Sequence, residues 1–391
     1  MKFLRKILDN LEPKFIKDGP LEKLFPIYEA TDTILFSTSE KTESGPHIRD
    51  SVDNKRIMIL VVVALLPCYI FGAINIGFQT AQISGTVQSA WENFIIGMGV
   101  VLPVLAMTFA VGGFWEVLFA VVRKHPISEG FLVTCALIPL VMPPTIPLWQ
   151  VAIATTFGIV IGKEIFGGVG MNIFNPALVA RAFIFFAYPS QISGDKVWLH
   201  ADGVSGATAL AVPAVVENGN AVDLLMNITQ FNYSWSNMFW GYIPGSIGET
   251  NKLLIILGVL FLVFTKIANW RIIAGALIGL LGTATLTNIM APLSSNTMLT
   301  LPPHYHLVMG GFLFGMAFMA TEPVTGAHTD KGRWIYGILI GALTVIIRSI
   351  NPAYPEGTML AILLMNAFAP LIDYYVVQGK IKRRMARYAA E

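Results

Sequence analysis

Three carboxylates stand inside or at the ends of long apolar runs: Glu116 within F-W-E-V-L-F, Glu322 and Asp373. An ionisable group in hydrocarbon costs roughly 3 kcal/mol or more, so it marks chemistry by default. Carboxylates are hard oxygen ligands and suit Na⁺ or a proton. The bland alternative is an interfacial ion pair with Lys or Arg. That alternative is equal for Glu322 and Asp373 and weaker for Glu116. Lys163, Glu164 and Arg181 flank G-G-V-G-M-N-I-F-N-P-A at 167–177. Glycines there allow positive φ and close backbone approach, and Pro176 suits a first helical turn. Asn172 and Asn175 offer donors and acceptors to a planar heterocycle with imide-like edges. By composition alone, tight helix packing with a cap is the better reading. The run is not a dinucleotide fingerprint. Histidines 304 and 306, in H-Y-H, point to different sides of a helix and read as interfacial rather than as haem ligands. The stretch D-G-V-S-G-A-T at 202–208 raises Thr208 among small residues. No acid–base set surrounds it, so hydrolysis is a poor reading. An open hydroxyl suits modification by another enzyme; a flexible solvent loop is the plain alternative.

These residues must be positioned by membrane helices. The chain is 54% hydrophobic and 13% charged, against about 25% charged for soluble domains. No charged side chain occurs from Ile57 to Trp91, and about 20 apolar residues suffice to cross a bilayer. The sequence predicts an all-α polytopic protein of about ten spans, with cores near 57–78, 93–122, 130–146, 148–168, 172–189, 252–269, 271–291, 305–321, 335–350 and 358–376. The second is overlong, with Gly112-Gly113 as a candidate break. The third ends in Pro143-Pro144 and reads as a half-helix. Echoes of G-G-F, E-G and N-P-A between the two parts of the chain are consistent with two pseudo-symmetric five-helix halves containing broken helices.

A polar arm (1–55) precedes the membrane domain (56–378), and a basic tail (379–391) follows it. Phe3, Leu4, Ile7, Leu8 and Leu11 fall at helical spacing as an amphipathic surface helix that Pro13 ends. The N-terminus does not read as a cleavable signal. Lys and Arg crowd the arm and tail, so both termini are expected in the cytoplasm and loop 190–251 outside, Thr208 with it. A net charge of +2 is too small to imply nucleic acid. Cys68 and Cys135 lie in apolar runs and read as buried small hydrophobes.

At this point the chain resembles a known family. D-G-V-S-G-A-T, comprising Asp202, Ser205, Gly206, Ala207 and Thr208, is similar to a flavinylation signature in which FMN is attached to the threonine by a phosphoester. The arm segments L-E-K-L-F-P-I-Y-E-A-T-D-T and H-I-R-D-S-V-D-N-K-R-I-M-I resemble the B subunits of Na⁺-translocating NADH:quinone oxidoreductases. So do K-E-I-F-G-G-V-G-M-N-I-F-N-P-A, I-P-G-S-I-G-E and N-P-A-Y-P-E-G-T-M-L-A-I-L, and the resemblance covers essentially the whole chain. The D subunits of Rnf ferredoxin:NAD complexes share the threonine but are shorter and lack the arm.

The resemblance implies a translocase subunit in the bacterial cytoplasmic membrane, within a six-subunit complex. Covalent FMN would sit on Thr208 outside, and riboflavin near Asn172 and Asn175 toward the inside. A quinone region would lie at Gly112 and Gly113, with Phe131 and Thr134 nearby, and a Na⁺ path would run by Glu116, Glu322 and Asp373. Glu322 stands where the family can have Asp, so its reach is longer by a methylene. The implied partners are the FMN-carrying C subunit, the NADH-oxidising F subunit, a flavin transferase and membrane lipid. A flavin-free solute channel or transporter is the rival from another class.

Overall fold

The computed structural model describes residues 2–16, 19–36, 45, 53–128, 130–193, 198–199, 206–217, 219–227, 231–350 and 356–388. Two arm helices come first, α1 (Lys2–Phe15) and α2 (Phe25–Leu35). Then follow α3 (Asn54–Ser84), α4 (Ala90–Arg123), α5 (Gly130–Leu140), α6 (Leu148–Val160) and α7 (Pro176–Ala187). Three short helices, α8 (Ala211–Val215), α9 (Ala221–Asn227) and α10 (Trp235–Trp240), lie in the long connection. The second part holds α11 (Lys252–Phe264), α12 (Trp270–Met290), α13 (Pro303–Val308), α14 (Phe312–Phe314) with a π turn at Gly315–Met319, α15 (Asp330–Ile350) and α16 (Thr358–Tyr388).

Every expected span is helical, but they are not equal. Among the described residues six helices are long and apolar enough to cross a membrane, and Gly130–Leu140, Pro176–Ala187 and Lys252–Phe264 are shorter apolar helices. The segment expected at 305–321 is broken into α13, α14 and the π turn. The two parts repeat a pattern. In each, the second helix packs on the fourth, the fourth on the fifth, and the broken third touches both the first and the fifth.

Irregular backbone at membrane depth survives only where protein satisfies its polar groups. After α5 stops at Leu140, the carbonyls of Leu140 and Met142 accept from Gly248 N (2.8 Å) and Ile247 N (3.1 Å). The proline-rich break of one half is thus paired with I-P-G-S-I-G-E of the other.

Two local expectations are corrected. α4 runs unbroken through Gly112-Gly113, closed at its start by a Ser89/Glu92 capping box. The glycines admit α5 instead: a Cβ on Gly112 would collide with Cys135 Sγ. Pro13 does not end α1, which continues to Phe15. Phe15 stacks on Tyr28 of α2, with ring centroids 5.5 Å apart, and Arg5 pairs with Asp32 at 2.8 Å. This docking outweighs the single hydrogen bond that a proline removes near a helix end. Lys55 pairs with Glu29 at 3.1 Å, so α2 is tied to the start of α3. Both cysteines are buried and free, as expected.

The tightest joint is α12 on α15. Gly275 and Gly279 face Gly337 and Gly341, each glycine lying against backbone of the opposite helix. This small-xxx-small seam lets helices approach without a side-chain layer. Replacing Gly279 by leucine is expected to destabilise the fold by about 1–3 kcal/mol, the usual range for overpacking. A Cβ there would run into the Ile338 carbonyl, whereas nothing lies within 4 Å of a Cβ on Gly282, one turn away. Thermal unfolding of Gly279→Leu beside Gly282→Leu checks this; equal midpoints would refute the seam.

Candidate functional sites at the two ends of the fold

The inner site is built where α7 begins. Asn175 caps α7, its Oδ1 accepting from Ala177 N (3.0 Å) and Leu178 N (3.2 Å), with Pro176 at the first helical position. The preceding turn needs its glycines: Gly167, Gly168 and Gly170 have φ of 118°, 99° and 90°. Asn175 Nδ2 donates to Glu322 Oε2 (2.9 Å), and Thr325 Oγ1 donates to the same oxygen (2.9 Å). Asn172 Nδ2 donates to Phe174 O (3.1 Å). Both amides therefore first build the turn and hold Glu322. Thr134, Lys163, Asn172, Asn175 and Glu322 line one cleft with apolar walls from α3, α11 and the π turn. The cleft contains about 760 Å³ of empty space, part of it open.

Behind this cleft lies a chain of alternating charge. Lys163 Nζ bonds Glu116 Oε2 and lies 3.2 Å from Glu164 Oε1; Arg123 reaches Glu164 Oε2 at 2.9 Å. Glu116, Lys163 and Glu164 side chains are each 2% exposed. Glu116 Oε1 also accepts from Ser128 N (3.2 Å). The ion-pair alternative is thus realised for Glu116, but deep inside the protein rather than at an interface.

Asp373 lies elsewhere. Its oxygens accept from His328 N (2.7 Å), Thr329 N (3.0 Å) and Thr329 Oγ1 (2.5 Å), so it braces the loop before α15. Glu322 and His328 share a second cleft with Lys266 and Arg333. Glu116, Glu322 and Asp373 are not gathered together, and among the described residues no group of three His, Cys, Asp or Glu side chains could hold a metal ion.

Phe131 lies against Gly112 and Gly113, its ring 3.2 and 3.6 Å from where their β-carbons would be. Thr134, one turn further along α5, lines the Asn172 cleft.

The outer site surrounds Thr208. Asp202 and Ser205 lie outside the described residues. Gly206 lets the chain press against Leu199 and Phe231, where a Cβ would come within 2.8 and 2.7 Å. Ala207 O accepts from Tyr233 OH, and Thr208 O accepts from Ala211 N (2.9 Å) as α8 begins. Thr208 itself is half-buried at the rim of a pocket shared with Trp198, Ser246, Glu249, Lys252 and Glu356. Its hydroxyl has no hydrogen-bond partner among the described residues. The connection carrying it is a folded cap, not a loose loop: Leu210, Leu225, Tyr233, Met238, Met298 and Met309 form a second apolar cluster. Gly219 N and Ala221 N donate to Thr297 Oγ1 and Thr300 Oγ1 at 3.1 and 2.9 Å.

Sequence reasoning placed Arg181 only as a flank of the 167–177 run and missed Lys252 and Arg348, which lie with it beneath this pocket. Arg181, Lys252 and Arg348 are 4%, 1% and 0% exposed. Arg181 reaches Glu356 Oε2 at 2.5 Å and Glu249 Oε2 at 3.9 Å. Arg348 donates to the carbonyls of His306 (2.8 Å), Met309 (3.0 Å) and Glu356 (3.0 Å). His306 is fully buried, with neither ring nitrogen hydrogen-bonded among the described residues, so the interfacial reading fails for it; His304 is exposed. The neighbours of these groups come from separate stretches, and only their lone charges in apolar context signalled them.

A family model described as the NQR2, RnfD, RnfE family matches residues 41–382. The chain is 50% identical to the B subunit of the Na(+)-translocating NADH-quinone reductase of Chromohalobacter salexigens, covering 99% of this chain and 97% of that one. It is 48% identical to the proteins of the same name from Klebsiella pneumoniae and Yersinia pestis, over 98% of this chain and 99% of each of theirs.

Proposed function

The chain belongs to the NQR2, RnfD, RnfE family, and from that premise we propose that it is the membrane-embedded B subunit of a Na⁺-translocating NADH:quinone reductase. The observation that carries this is identity of about half, end to end, with relatives of that name. Such a subunit works only within its complex, so the activity is an oxidoreductase's coupled to ion movement. Partners would include an FMN-carrying C subunit and an NADH-oxidising F subunit.

At finer grain, Thr208 is the attachment point for FMN. The half-buried Thr208, whose hydroxyl has no hydrogen-bond partner among the described residues, and the adjoining pocket fit that group. The inner cleft fits a flat heterocycle such as riboflavin, between apolar walls and beside the Glu322, Lys163 and Asn172 side chains. Flavins, when bound, supply both one- and two-electron exchange, which suits a path ending at quinone. Gly112, Gly113 and Phe131 form the quinone-region candidate, and Glu116, Glu322 and Asp373 the candidate Na⁺ path.

The chain's own groups do the positioning. Tyr233 fixes the Ala207 carbonyl, and Asn175 ties α7 to Glu322. The ends of α11 separate the two sites: its thirteen residues rise about 20 Å. Basic residues Lys266 and Arg333 gather at the Glu322 end, which supports a cytoplasmic inner face, termini included, and an outward Thr208 in the bacterial inner membrane. Residues 1–55 then act as a cytoplasmic arm and 379–391 as a cytoplasmic tail. The test is the mass of the tryptic peptide 197–252 from the native assembled complex. It should carry FMN, and a wholly unmodified peptide would defeat the flavin assignment.

A further inference from the structure

The pocket under Thr208 is built over an excess of buried positive charge. Arg181, Lys252 and Arg348 are set against only two carboxylates, Glu249 and Glu356, among the described residues. Arg181 takes up both carboxylates. Among the described residues no carboxylate oxygen lies within ion-pair distance of Lys252: its Nζ donates to the carbonyls of Glu249 (2.5 Å) and Gly310 (2.9 Å), with the Glu249 carboxylate acting on it from further off. Arg348 is likewise bonded to carbonyls only. Three buried cations sharing two carboxylates leave one charge uncompensated, and that is expensive. Capping the carbonyls of a broken helix accounts for part of this, most clearly for Arg348, which ends α13. It does not account for Lys252 lining the same pocket as Thr208.

We infer that Lys252 is a positioning residue whose charge sets the redox potential of the group carried on Thr208, by opposing the negative charge that the group gains on reduction. The inference rests on the flavin reading of Thr208. Two electrons, drawn ultimately from NADH, and one proton enter the isoalloxazine ring, which leaves it with one added negative charge. In a low-dielectric pocket a fixed cation stabilises that charge strongly. It therefore favours the reduced form and raises the potential. Glu249, on the same pocket, acts in the opposite sense.

The test uses the assembled complex, with covalent loading first measured by mass spectrometry of peptide 197–252. Spectroelectrochemical titration, from which the titration of a Thr208→Ala complex is subtracted, isolates the flavin at Thr208. Lys252→Gln should lower the ratio of reduced to oxidised flavin at fixed potential at least tenfold, a downward shift of about 30 mV for a two-electron couple. Lys252→Arg should restore most of it, and Glu249→Gln should shift it upward. Either glutamine variant decides the matter if the other does not assemble. Normal loading with an unmoved potential overturns the inference. So does reduced loading with an unmoved potential, which would mean that Lys252 holds only the phosphate tether. An unloaded wild-type peptide would instead defeat the parent reading.

Discussion

A Thr208→Ala variant, made in a host that supplies the flavin transferase, should give a denatured band with no flavin fluorescence under ultraviolet light. The loss should be complete, because a phosphoester needs the side-chain oxygen and alanine has none. The fold should hardly notice. Thr208 is half-buried and its hydroxyl bonds nothing among the described residues, so the change falls among surface substitutions worth about 0.5 kcal/mol or less. Thr208→Ser keeps the nucleophilic oxygen and should retain fluorescence. Ser246→Ala supplies the control: it removes a hydroxyl from the same pocket, one that accepts from Arg181 at 3.2 Å, and should leave the band bright. A fluorescent Thr208→Ala band would move the attachment to another residue.

The second large effect concerns stability. Lys163→Met removes the cation between Glu116 and Glu164, leaving two carboxylates, each 2% exposed, with Arg123 on only one of them. Breaking a buried ion pair from one side costs about 3–5 kcal/mol, because the stranded charge stays out of water. The double variant Lys163→Met/Glu116→Gln removes the stranded charge and should recover most of that loss. Thermal unfolding of the complex should rank wild type above the double variant and the double variant above Lys163→Met. A double variant no more stable than the single would show that Glu116 and Lys163 are not coupled. The pair also bears on sodium. Sodium taken up at Glu116 would share that carboxylate with the Lys163 ammonium, and two cations on one carboxylate repel. Glu116→Gln alone should then raise the Na⁺ concentration that half-saturates quinone reduction, and an unchanged requirement would remove Glu116 from the path.

The membrane architecture was legible because lipid leaves so few options. Spans must be apolar over their length, and Pro143-Pro144 announced the half-helix ending at Leu140. The cap on α7 was legible too, since Asn175-Pro176 is a local signal with a local cause. Gly112-Gly113 misled because glycine reads as a breaker, while in a membrane helix it more often makes room for a neighbour. The helix α2 and the folded cap over Thr208 were missed because their stability comes from contacts across the chain, such as Arg5 with Asp32 and Gly219 with Thr297. The charges beneath Thr208 were least legible. Lys252 is inside because two carbonyls converge on it, Glu249 from the preceding turn and Gly310 from 58 residues away, and no local pattern announces that.

The glycine seam of α12 and α15 also bears on how the molecule can work as a pump. Where side chains separate two helices, they can re-pack as one slides past the other, and a ratchet of one turn is possible. Here carbonyl oxygens of each helix lie in notches that the other's glycines leave open. A shift of one turn would bring Thr283 or Val345 rather than glycine against main chain, so these two helices travel together or not at all. Whatever motion lets an ion through must be taken up elsewhere, at joints where side chains rather than main chain fill the gap.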